Sequence, residues 1–132
     1  MTDSKPTLDQ RRAQHAWQAV QNAKAKTGHH SKQDPKKFGG QAKKLPVRII
    51  TSGLGQALGF LKAKNDAPGL LAELSEWVIV QRLGGQSGDL LQHIVQGNSD
   101  FLRRATDETL AYLQWLNRFA EAEGLTDEDE GK

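Results

Sequence analysis

The chain contains no cysteine, which excludes disulfide frameworks, thiolate zinc sites and cysteine nucleophiles. Long apolar runs are also missing. Stretches such as Trp77-Val78-Ile79-Val80 are far too short to span a bilayer, and Met1–Pro6 lacks the apolar core of a signal peptide. No segment alternates apolar and polar residues as a half-buried strand does, and no internal repeat is present. Ser52-Gly53-Leu54-Gly55 is neither a nucleophile elbow nor a phosphate loop, which ends in Gly-Lys-Ser/Thr. The Arg-to-His spacing of the small helical HEPN-type ribonucleases is not met either. These absences predict a soluble cytoplasmic protein that is not an enzyme and has no cofactor, metal or membrane partner.

What the chain does have is charge sorted by position. Residues 1–64 carry 13 Lys+Arg against 3 Asp+Glu, and residues 65–132 carry 5 against 13, which sum to the net +2 of the whole chain. A polycationic first half suits a phosphate backbone, and an acidic second half suits a basic partner or another copy of the chain. At 132 residues one modest core is expected.

Helical periodicity accounts for most of the length. Thr7-Leu8-Asp9-Gln10 is a capping-box pattern, and on a wheel of about 100° per residue Ala13, Ala16, Trp17, Val20 and Ala23 share one face. Residues 27–37 are polar and aperiodic, which predicts a basic mobile loop. Phe38, Ala42, Leu45 and Ile49 then form an apolar stripe at helical spacing, with Gly39-Gly40 lowering propensity and Pro46 predicting a kink. Ser52 is placed to cap a helix over Leu54–Lys64, and Asp66 to cap the next, whose apolar face is Leu70, Leu71, Leu74, Trp77 and Val78. A short helix over Asp89–Gln96 and a long one from Asn98-Ser99 to about Glu123 complete the pattern. The expectation is an all-α, single compact bundle of five to six helices with a long C-terminal helix. It spans residues 1–124, with 125–132 as an acidic disordered tail.

Chemistry concentrates between Lys24 and Arg48, where eight Lys/Arg face one acid, Asp34. Lys37, Lys44 and Arg48 fall within a roughly 40° arc opposite the apolar stripe, flanked by Lys36 and Lys43. Such a cluster neutralises phosphates and releases counterions, which positions a protein on nucleic acid without reading sequence. An acidic protein surface is the alternative partner, with the chain acting as a helical adaptor. Trp17, Phe38, Trp77, Tyr112 and Phe119 sit on apolar faces and read as core, whereas Trp115 and Leu110 lie just off the last helix's stripe. His29-His30 has no supporting ligand at metal spacing, and His15 and His93 read as structural or solvent-facing.

Several segments together resemble the small subunit of Cmr-type (type III-B) CRISPR effector complexes. They are Gln10-Arg11-Arg12-Ala13, Lys36-Lys37-Phe38-Gly39 through Lys44-Leu45-Pro46, and Gly53 through Leu61. Leu71 through Trp77 and Arg103 through Ala120 follow in the same order. The resemblance implies an all-helical, non-catalytic antiviral subunit of an RNA-guided machine, stacked with further copies of itself beside the backbone subunits. It would line the groove in which guide RNA and target RNA pair, with other Cmr-type subunits as partners. Its RNA-binding residues would be Lys36, Lys37, Lys43, Lys44 and Arg48, with Arg11 and Arg12.

Overall fold

The computed structural model describes residues 4–86 and 88–126. Six α-helices appear in order: α1 (Leu8–Ala25), α2 (Pro35–Ser52), α3 (Leu54–Lys64), α4 (Pro68–Ser75), α5 (Leu90–Gln96) and α6 (Ser99–Ala122). Among the described residues there is no strand, and no helix is long and apolar enough to cross a membrane. The all-α expectation holds, including the long C-terminal helix.

Local chemistry sets the helix starts. Thr7 and Gln10 form the reciprocal capping box, Gln10 N–H donating to Thr7 Oγ1 at 3.0 Å and Thr7 N–H to Gln10 Oε1 at 2.8 Å. Asp34, Asp89 and Asn98 cap α2, α5 and α6 with side-chain oxygens. One core draws from every helix, through residues such as Val20, Phe38, Leu58, Leu70, Leu90 and Leu113.

α1 packs against α6, and its buried residues, Ala16, Ala19, Val20 and Ala23, are mostly small. Trp17 is not core as its face suggests. It stands 43% exposed at the rim, edge-on to Phe119 with ring centroids 5.2 Å apart.

Residues 27–37 are not a free loop. Gly28–His30 is a 3₁₀ turn, and α2 already begins at Pro35. His30 and Gln33 are buried because their side chains tie the segment down. Gln33 Nε2 donates to His30 Nδ1 at 2.6 Å, His30 Nε2 contacts Glu73 Oε2 at 2.8 Å, and Gln33 Oε1 accepts from Gly69 N–H at 2.9 Å.

α2 runs unbroken through Pro46 to Ser52. Ser52 does not cap α3; Gly53, at φ +90°, joins the two helices alone, a conformation that favours glycine. Asp66 does not cap α4 either. Ala67 occupies that position with no side-chain bond, and an oxygen of Asp66 turns instead toward Gln41.

After Ser75 the chain winds wider, as a π-helix over Glu76–Arg82, with Leu83 N–H reaching back five residues to Val78 O at 2.9 Å. In an α-helix, residues five apart lie about 140° apart. The wider winding brings Trp77 and Arg82 to one side, where both meet Glu108.

α6 ends in a Schellman motif. Gly124, at φ +73°, turns the chain, Leu125 N–H bonds Ala120 O at 2.8 Å and Gly124 N–H bonds Glu121 O at 3.1 Å. Leu125 is thereby folded into the core, 5% exposed, so the packed domain extends past the expected tail boundary. The acids Asp127–Glu130 lie outside the described residues.

Candidate nucleic-acid interface

The stripe that buries Phe38, Ala42, Leu45 and Ile49 leaves the opposite side of α2 in solvent. Lys36, Lys37, Lys43 and Lys44 are exposed there and Arg48 is half-buried. Lys36, Lys37, Lys44 and Arg48 converge on a small polar cleft of about 90 Å³, lined also by Gly40, Gln41, Lys64 and Asp66. Lys43 lies on the same helix but not on this cleft. Lys64, at the last turn of α3, joins the set from a different helix.

Many of the cations elsewhere are paired with acids. Lys24 meets Glu123 at 2.7 Å, Lys62 meets Asp89 at 3.0 Å, Arg12 and Arg82 share Glu108, and Arg103, Arg104 and Arg118 each have an acid one turn away. Lys36, Lys37, Lys43, Lys64 and Arg48 have no carboxylate within ion-pair distance among the described residues. Lys36, Lys37, Lys64 and Arg48 thus bring positive charge to the cleft with no carboxylate at ion-pair distance among the described residues, and Asp66 stands on its wall.

Arg48 is held more tightly than the lysines. Its Nη1 donates to Gln41 Oε1 at 2.8 Å, and its guanidinium lies 4.3 Å from the centroid of the Phe60 ring. Gln41 Nε2 in turn approaches Asp66 Oδ2 at 3.5 Å.

The two arginines at the start of α1 part company. Arg11 is exposed, with its guanidinium 5.9 Å from the Trp77 ring centroid. Arg12 points inward: Nε donates to Glu108 Oε2 at 2.6 Å and Nη2 to Glu108 Oε1 at 3.0 Å. Glu108 also accepts from Trp77 Nε1 at 2.8 Å and from Arg82 Nε at 3.1 Å. Burial alone would raise the Glu108 pKa; donation from Arg12, Trp77 and Arg82 outweighs it and holds the carboxyl below its ordinary value. The bond to Glu108 likewise raises the Arg12 pKa against the opposing effect of burial. Arg12 is therefore a structural residue, not one presented on the expected RNA face.

Beside that network, His15 Nδ1 lies 2.7 Å from the Tyr112 hydroxyl, and Trp77 stacks on Tyr112 with ring planes 16° apart. Burial lowers the His15 pKa, against the pull of Glu73 and Glu76. Burial, then those same carboxylates, raises the Tyr112 pKa well above its ordinary value. Both groups stay neutral near pH 7, consistent with packing. Among the described residues no three His, Asp or Glu side chains are grouped to hold a metal ion.

An apolar groove of about 580 Å³ lies elsewhere, bordered by Leu61, Pro68, Leu71 and Val80. Two charges on its rim, Lys62 and Asp89, are already paired to each other.

Comparison with known proteins places this geometry in a family. The model of a family described as CRISPR-associated protein (Cas_Cmr5) matches residues 8–123. The fold also matches a crystal structure of a CRISPR-associated Cmr5 family protein from Thermus thermophilus, with a TM-score of 0.71 and 30% sequence identity. That match covers 92% of this chain and 100% of the other.

Proposed function

We infer the function from one premise: the chain belongs to the Cas_Cmr5 family of CRISPR-associated proteins, and so is a small subunit associated with other Cmr subunits. We propose that within such a complex it is a non-catalytic RNA-binding subunit. Its α2 face grips the paired guide and target RNA, and it stacks with further copies of itself and with the backbone subunits.

The observation that carries the RNA reading is the cleft where Lys36, Lys37, Lys44, Arg48 and Lys64 meet. Lys36, Lys37, Lys64 and Arg48, which no carboxylate pairs among the described residues, are a standing cost of self-repulsion that an anionic partner removes. The recognition is of shape and phosphates, because the major groove of an A-form duplex is too deep and narrow for side chains to read. Val47 and Ile50, 69% and 74% exposed on the same helix, suit a protein neighbour beside the RNA. A non-catalytic role is supported by the buried polar groups of the fold. Glu108, His30, Glu73, His15 and Tyr112 are bound to one another or to their neighbours, which engages them in holding the fold together.

An adaptor that docks an acidic protein through the same face is the competing reading. Fluorescence polarisation of the full chain with an RNA duplex, a DNA duplex and an acidic peptide, each at low and high salt, separates the two. The RNA reading predicts that the RNA complex is the tightest and weakens steeply with salt. Preference for the acidic peptide contradicts it.

A further inference from the structure

Arg48 differs from every lysine around it in being held in place. Its guanidinium lies against the Phe60 ring at 4.3 Å, and Nη1 is anchored to Gln41 Oε1 at 2.8 Å. Gln41 sits two turns earlier on the same helix and is itself buried. A carboxylate can only accept hydrogen bonds, so Asp66 Oδ2 draws the amide nitrogen of Gln41, leaving the amide oxygen to face Arg48. Phe60 is 46% exposed: half of the ring stands in solvent, with the arginine beside it. No carboxylate pairs with Arg48 among the described residues. One face and one nitrogen of a planar cation are thus occupied, and its other donors remain for a ligand in a cleft rimmed by lysines.

We propose that Gln41 and Phe60 are positioning residues that present Arg48 as a rigid fork for the oxygens of a nucleic-acid phosphate. Arg48, more than the lysines, then sets where the backbone is gripped. This rests on the RNA-binding reading above and deepens it. A guanidinium offers parallel donors matched to phosphate oxygens, whereas an ammonium is a point charge on a flexible stem. Holding that fork before binding removes the entropy otherwise lost in ordering a long side chain. Lysine at this position would keep the charge and lose both the stacking geometry and the fork.

The test is a double-mutant cycle on the full chain, read by polarisation with an RNA duplex at fixed salt and with helicity checked by circular dichroism. Arg48→Lys, which keeps the charge and loses one donor of the fork, is expected to weaken binding about five- to tenfold, the size of one ordinary hydrogen bond. Gln41→Leu and Phe60→Leu, which leave the charge unchanged, are each expected to lose a roughly threefold share of that. In the doubles Gln41→Leu/Arg48→Lys and Phe60→Leu/Arg48→Lys, binding should fall no further than in Arg48→Lys alone. A residue that merely supports the fold would add its loss to that of Arg48→Lys. Should Gln41→Leu fail to fold, Phe60→Leu carries the same cycle from a half-exposed position. Arg48→Lys binding like the wild type while Lys37→Glu weakens binding overturns the fork and spares the basic face. Additive losses in the doubles overturn the positioning role. Lys37→Glu and Arg48→Lys both binding like the wild type overturn the fork together with the RNA reading beneath it.

Discussion

Arg12 on α1 and Glu108 on α6 form a two-pronged ion pair across the bundle, Nε to Oε2 at 2.6 Å and Nη2 to Oε1 at 3.0 Å. Because Arg82 and Trp77 donate to the same carboxylate, three elements are pinned at one buried point. Removing the carboxylate strands two guanidinium groups against the core. We expect Glu108→Ala to destabilise the chain by about 3 kcal/mol, measured as a lowered midpoint of urea unfolding. Its RNA binding should be preserved at temperatures where it remains folded.

Acid should destabilise the protein in two pH windows. His15 is held below its ordinary 6.5 by burial, so the unfolded chain takes up this proton first. Its contribution is full above that value and is lost as pH falls below it. Glu108 is held below its ordinary 4.5, so its contribution is present above that value and is lost as pH falls further. Unfolding free energy measured against pH should decline in both windows. His15→Gln should flatten the upper one and leave the lower intact; an unchanged upper slope would contradict this assignment.

A glycine inside a helix is usually improved by alanine, by about 1 kcal/mol. Gly39 reverses that sign. A Cβ there would run into the carbonyl group of Leu125, which the Schellman turn folds back against α2. Backbone cannot step aside as a side-chain tip can. Gly39→Ala is therefore expected to cost about 1–3 kcal/mol in urea unfolding, and a gain in stability would contradict the docking of Leu125.

These cases show which parts of the structure local sequence carries. Capping residues and period-3.6 stripes specify helices from within a few positions, so Thr7 with Gln10 and the Phe38–Ile49 stripe announce α1 and α2. Distant partners leave no such mark. Arg11 and Arg12 look alike in the sequence, and only a carboxylate 96 positions away takes Arg12 inward. His30 and Gln33 look like loop residues until Glu73 and Gly69 fold over them. The π-helical turn that aligns Trp77 with Arg82 has no signature of its own. For the cleft, spacing along α2 brings Lys36, Lys37, Lys44 and Arg48 together but cannot supply Lys64, since the α2–α3 packing that delivers it is tertiary. The same wheel groups Lys43 with them, and the structure leaves it off the cleft.

The central claim is that this cleft binds RNA phosphate, and charge reversal within it tests the claim most directly. Polarisation titrations of an RNA duplex over a range of salt would compare the wild type with Lys37→Glu/Lys44→Glu/Arg48→Glu and with Lys43→Glu. Helicity would be matched by circular dichroism. The account predicts a large loss of affinity and a shallower salt slope for the triple variant, with a much smaller loss for Lys43→Glu. A folded triple variant that binds RNA as tightly as the wild type, with the same salt slope, would contradict it.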